Sequence, residues 1–99
     1  IVKIDEEHIV FGGDDKKVTI ADIGDRQNPI VCKNSISVGN WVNSIVKIDE
    51  EHIVFCVSDG KVTIANISDR QNPKVYKNSI SLGGRVEFIV KIDKDHIAF

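Results

Sequence analysis

Three histidines stand 44 residues apart, at His8, His52 and His96, and each follows a short acidic run. Imidazole nitrogen is a good zinc ligand, so a ring of such side chains around a common axis could hold a metal. That chemistry asks for more than recurrence. No second ligand type returns at a convergent spacing such as His-x-His or Cys-x-x-Cys, so the histidines read as polar strand-end residues beside their turns. A pH-sensitive contact is the alternative use. The acidic runs Asp5–Glu7 and Asp49–Glu51, and the turn aspartates Asp14, Asp15 and Asp59, lack the regularly spaced oxygen ligands around a glycine that a calcium loop requires. They read as solvated turn charge. Paired carboxylates arise here only because turns repeat, and no nucleophile has a base at a motif spacing. The expectation is a chain that is no enzyme and carries no cofactor or metal.

Cys32 and Cys56 are not part of the recurrence: Tyr76 stands one period after the first, and Gly12 one period before the second. Two small buried thiols are the plain reading, with a disulfide or a reactive thiol as the alternative.

The histidines are positioned by a repeat. The stretch IVKIDEEHIVF opens the chain at Ile1, returns intact at Ile45, and closes it as IVKIDKDHIAF from Ile89 to Phe99. Laying residues 1–44 over 45–88 gives 31 identities in 44 positions. The domain organisation is thus one unit at 1–44, a second at 45–88 and a partial third at 89–99. The chain has no methionine and begins inside a repeat, so it is expected to be a piece of a longer array.

Each unit reads as four strands. Ile1–Ile4 and His8–Phe11 are β-branched or aromatic segments around an acidic turn, which makes a hairpin. Residues Gly12–Lys16 form a second reversal, and their counterpart contains Asp59-Gly60, a strong hairpin signal because glycine accepts positive φ. Lys17–Ile23 alternates, with Val18 and Ile20 on one face and Thr19, Ala21 and Ile23 on the other. The loop Gly24–Pro29 ends the ladder, a fourth strand runs from Ile30 to Ser37, and the chain re-enters the next copy at Val42. No window shows a helical period.

In the second strand Ile53, Phe55 and Val57 point one way, and Val54 and Cys56 the other. A sheet apolar on both faces must be sandwiched between neighbours. Four strands in a period of 44 residues describe a β-propeller blade, so the expected fold is all-β, with about two and a quarter to two and a half blades of four antiparallel strands. Burying a Val, Ile or Phe stabilises by roughly 1.5 to 3 kcal/mol. Open outer faces on two blades would forfeit on the order of ten kcal/mol, more than the whole stability of many small domains. Other copies of the chain or further repeats are expected to cover them.

From Val18 to Phe55 the residues resemble the LVIVD repeat of bacterial and archaeal propeller proteins: an alternating strand ending in Asp, a turn of Ser-Asp-Pro-x-Asn-Pro type, a strand, then Gly and an aromatic before an apolar hairpin. Asp22, Asp25, Asn28, Pro29, Gly39 and Trp41 take those places; in the next copy they fall to Asn66, Asp69, Asn72, Pro73, Gly83 and Arg85. Arg26 and Arg70 stand where the family's first proline is common. A tryptophan–aspartate-type repeat is the runner-up, but its tryptophan is replaced by Ala21 and Ala65 and its Gly-His pair is missing. Either resemblance implies a propeller.

Composition narrows the partners. With 41% hydrophobic and 28% charged residues and a net charge of −2, the chain offers no broad basic field for nucleic acid. No apolar run approaches the ~20 residues of a membrane-spanning helix, so membrane insertion is not expected. A protein partner remains, and the copies differ most densely where one would sit: Asn40-Trp41-Val42-Asn43-Ser44 against Gly84-Arg85-Val86-Glu87-Phe88, and residues 12–16 against 56–60. In a propeller both lie on one rim. Trp41 and Arg85 are hot-spot residue types, with Asn40, Asn43 and Glu87 beside them; alternatively Trp41 packs under its own loop. The leading expectation is a non-catalytic scaffold for protein–protein interaction.

Two further expectations stand beside it. One is a self-assembling, homo-oligomeric ring, in which Ile89, Val90, Ile92, Ile97 and Phe99 of the surplus hairpin replace a neighbour's first hairpin. The other is a site in a central channel, for which the innermost strands offer Lys3, Lys47, Asn43 and Ser44.

Overall fold

The computed structural model describes all 99 residues, in twelve strands and no helix. The first sheet contains β1 (Val2–Lys3), β2 (His8–Gly12), β3 (Lys17–Asp22), β4 (Ile30–Val31) and β5 (Ile36–Ser37). The second contains β6 (Val42–Asp49), β7 (His52–Val57), β8 (Lys61–Asn66), β9 (Lys74–Val75) and β10 (Ile80–Ser81). A separate hairpin, β11 (Val90–Asp93) and β12 (His96–Ala98), ends the chain. All pairings are antiparallel, and register repeats with the sequence: Val10 faces Ile20 as Val54 faces Ile64.

The fourth strand differs from the expected run over Ile30–Ser37. It is two short strands, β4 and β5, both on the free edge of β3, and β9 and β10 repeat this on β8. Cys32 N–H still donates to Ile20 O (2.8 Å), after which Lys33 to Ser35 leave the ladder. In the first sheet they turn to the next repeat: Lys33 N–H donates to Gln71 Oε1 (2.7 Å) and Asn34 Nδ2 to Gln71 O (3.1 Å). The second sheet breaks at the same place, so the Lys-Asn-Ser segment itself, poor in strand-forming residues, bends away.

The face assignment read from alternation is what packs the molecule. Ile53, Phe55 and Val57 lie in one core with Ile4, Val10, Val18 and Ile20 of the first sheet, while Val54, Cys56 and Val62 form a second core with Val86 and Ile89. The second sheet is therefore sandwiched, and the two junctions use one geometry. Lys47 Nζ donates to Ile4 O across the first and Lys91 Nζ to Ile48 O across the second, both at 2.6 Å.

The turns after β2 and β7 need a left-handed residue. Gly60 supplies it at φ +91°, and Lys16, its counterpart, is forced to φ +63°. Gly60 N–H closes its turn on Val57 O (3.0 Å), and each left-handed residue accepts a backbone hydrogen bond from the segment after the last short strand, Gly60 O from Leu82 and Lys16 O from Val38.

The stack is open at both ends. Ile20 is 1% exposed but its counterpart Ile64 is 39% exposed, and Ile36 at 7% contrasts with Ile80 at 48%, because the terminal hairpin covers only part of the second sheet. At the other end Ile1 is fully in water, whereas Ile89 is buried.

Candidate functional site

Trp41 sits where the chain crosses between sheets, on a segment held from two sides. Asn40 Oδ1 accepts from Trp41 N–H at 2.8 Å and from Ser58 Oγ at 2.5 Å, and Ser58 N–H donates to Trp41 O at 2.9 Å. Val42 N–H donates to Gly13 O at 3.1 Å. The crossing segment thus meets the β2–β3 turn of the first sheet and the β7–β8 turn of the second. The crossing segment and these turns, where the copies differ most densely, are thus brought together. The indole is 53% exposed rather than packed beneath its loop.

The other candidates divide. Arg85 and Glu87 are exposed and paired, Nε to Oε1 at 3.4 Å. Asn43 is half-buried: its Nδ2 donates to Val86 O at 2.9 Å, tying one crossing segment to the next. Of the hairpin residues expected to be free for exchange, Ile89 is buried and Ile97 half-buried against the second sheet, while Val90, Ile92 and Phe99 are exposed. The channel candidates are engaged as well, Lys3 with Glu6 (3.0 Å), Lys47 with Ile4 O and Glu50, and Ser44 Oγ accepting from Ile89 N–H (3.3 Å).

The histidines serve their turns. His8, His52 and His96 place Nδ1 at 3.0, 2.8 and 2.9 Å from Asp5, Asp49 and Asp93, and each aspartate also accepts the backbone N–H two residues on. No three histidines, cysteines or acids gather where they could hold a metal ion. Burial alone would raise the Asp5 carboxyl, but the Glu7 N–H, His8 and Arg70 hold it well below the usual carboxylate range. The Glu51 N–H and then His52 do the same for Asp49, against slight desolvation. Cys32 and Cys56 are buried free thiols, both raised by desolvation.

Sequence reasoning missed the loop that locks the two sheets together. Arg70 Nη2 lies 3.0 Å from Asp5 Oδ2, and its Nη1 donates to Glu50 O (3.1 Å) and Ile67 O. Its neighbour Gln71 takes the bonds from Lys33 and Asn34. The available signal was Asp-Arg-Gln-Asn-Pro, unchanged between copies at 25–29 and 69–73 although a loop exposed to water alone is free to drift. Also missed was Tyr76, whose ring stacks on His52 (centroids 5.8 Å apart) with its hydroxyl 2.9 Å from Nε2.

Asp49, His52 and Tyr76 have the connectivity of a proton relay, at the wall of a cleft of about 440 Å³ between the second sheet and the terminal hairpin. The relay is not part of the repeat. Cys32 stands at the tyrosine's position in the first unit, with its sulfur 3.5 Å from Gln71 Nε2. Every buried side-chain nitrogen or oxygen has a hydrogen-bond partner, so no orphaned group marks a ligand seat. No family model matches the chain, and no curated protein matches it.

Proposed function

We propose that the chain is a non-catalytic β-propeller scaffold of the LVIVD-like kind, which presents the rim around Trp41 to a protein partner. The observation that carries this reading is the half-exposed indole on a segment fixed by Asn40, Ser58 and Gly13. A large exposed aromatic on a tethered backbone contributes contact area with little backbone ordering cost on binding, the usual property of an interface anchor. The Arg85–Glu87 pair on the following crossing segment supplies charge of both signs. Support for the propeller comes from the stacking: two equivalent sheets and the terminal hairpin follow one another with the same lysine bond at each junction. Copies of the chain, or further repeats of a longer one, complete the array.

The test is selection of peptide ligands from a displayed random library, followed by titration against the intact chain and Trp41→Ala. Because Trp41 is the single tryptophan, its emission reports contact directly. Ligands that shift the emission and lose about tenfold or more in affinity on Trp41→Ala, as hot-spot truncation does, support the reading. Ligands indifferent to Trp41 overturn it.

A further inference from the structure

The two open ends of the stack are the two halves of an interface that the chain already contains. Across the junction of first and second sheets, Ile53, Phe55, Ala65 and Ile67 of the second sheet meet Val10, Val18, Ile20 and Ile36 of the first. The open face of the first sheet carries Ile9, Phe11, Ala21 and Ile23, the same four residues one period earlier. The opposite face of the second sheet carries Val54, Val62, Ile64 and Ile80, where Val10, Val18, Ile20 and Ile36 stand in the first; Val86 and Ile89 cover Val54 and Val62, and Ile64 and Ile80 are left open.

Polar groups match as well. Arg70 pairs with Asp5 across the existing junction, and Lys47 donates to Ile4 O. One period on, Asp49 lines the cleft beside the terminal hairpin together with Asp93 and Asp95, and no arginine reaches it. One period back, Arg26 is exposed and donates only to backbone oxygens, those of Ile23 and Glu6. Lys77 and Asn78 repeat the Lys33 and Asn34 that Gln71 engages, and Gln27 repeats Gln71.

We propose that a second copy of this chain seats its intact first sheet on the open face of the second sheet, head to tail, with Arg26 of the incoming copy on Asp49. The association stands independently of the rim around Trp41. It is heterologous, so repetition gives a closed ring or an extending filament rather than a simple two-fold dimer.

The terminal hairpin occupies part of this site and gives way. It is attached to the second sheet by side-chain packing, the Lys91 bond to Ile48 O and the Ile89 bond to Ser44, and by no strand ladder. The first hairpin is held in its sheet by five ladder positions between β2 and β3. Residues 1–11 carry Ile1, Lys3, Ile9 and Phe11 where residues 89–99 carry Ile89, Lys91, Ile97 and Phe99, so the incoming copy can replace the contacts it displaces. The reverse exchange, with the terminal hairpin taking the first one's place in a neighbour, puts Ala98 where Val10 is fully buried and leaves a cavity. The proposed exchange thus runs opposite to the direction expected from sequence.

The experiment uses variants of the 99-residue chain blocked on one face only, with mass measured by light scattering after size exclusion. Ile64→Lys with Ile80→Lys blocks the second-sheet face at side chains already partly in water; Val31→Lys, exposed and paired across strands with Ala21, blocks the first-sheet face, and circular dichroism checks both folds. The intact chain is expected to form multiples of 11.0 kDa that grow with concentration. Each blocked variant alone stays at 11.0 kDa, and an equimolar mixture gives a complex of two chains and nothing larger. Arg26→Glu weakens the assembly tenfold or more, and Trp41→Ala leaves it unchanged, which separates this proposal from the rim. An intact chain that stays monomeric to millimolar concentration overturns the proposal, as does self-association of either blocked variant.

Discussion

Equivalent isoleucines in the two sheets provide a measure of how much stability comes from a covering neighbour. Ile20 and Ile36 are covered by the second sheet, and Ile64 and Ile80 are their open counterparts. Ile→Val keeps the β-branch and removes one methylene, so strand preference is unchanged and only packing is tested. A buried methylene is worth about 0.8 kcal/mol in transfer, and with the residual cavity an Ile→Val change costs about 0.5 to 1.5 kcal/mol. The pair Ile20→Val and Ile36→Val should therefore cost roughly 2 kcal/mol. Ile64 and Ile80 are already 39% and 48% in water and solvent fills the space, so that pair should cost about 0.5 kcal/mol. With a urea dependence of roughly 1.5 kcal/mol per molar, the midpoints fall by more than about 1 M and by about 0.3 M. Urea titrations at micromolar protein check this. Equal shifts for the two pairs would refute the reasoning, since they would mean that the second face is as well covered as the first. A cost at Ile64 and Ile80 that rises with protein concentration would instead report the arrival of another copy.

Two other predictions concern turns and charge. Lys16→Gly relieves a left-handed residue that costs about 1 to 2 kcal/mol, less glycine's entropy of up to ~1 kcal/mol, so it should stabilise by roughly 0.5 to 1 kcal/mol and raise Tm by about 3 to 6 °C. The reciprocal Gly60→Ala puts a Cβ 2.3 Å from Gly84 O and 2.4 Å from Leu82 O at φ +91° and should cost more than about 2 kcal/mol; equal effects at the two sites would contradict the turn assignment. The Asp5 carboxyl is depressed in the fold, so its contribution is full above the unfolded value near pH 4 and is lost as pH falls below it. Asp5→Asn should thus lower Tm at pH 7, and the gap to the parent should close towards pH 2; a gap constant over that range would show that Asp5 acts without its charge.

Strand order, turn positions and the sidedness of β7 were legible because they are local: a period of two and a positive-φ glycine leave marks in the sequence itself. The division of the fourth strand was less so, since Ile30–Ser37 has an apolar residue at each end and only the polar middle to signal the departure from the ladder. The rim was legible as disagreement between copies, but disagreement does not tell which residues face out. Asn43 varies to Glu87 and yet is half-buried and bonded to Val86 O, whereas Trp41 varies to Arg85 and stands in water.

The inter-sheet lock was hidden for the opposite reason. Arg70 and Asp5 are 65 positions apart and of common surface types, and their pairing follows only once two sheets are stacked. In a tandem repeat such a long-range pair leaves a trace, because every junction must repeat it and both partners stay unchanged from copy to copy. The same constraint explains why Arg26 and Asp49 persist on the open ends, where neither meets the other within the chain. Their retention is intelligible if each is one half of a junction, and the apolar residues around them, the same as those buried one period away, lead to the same conclusion by burial rather than by charge.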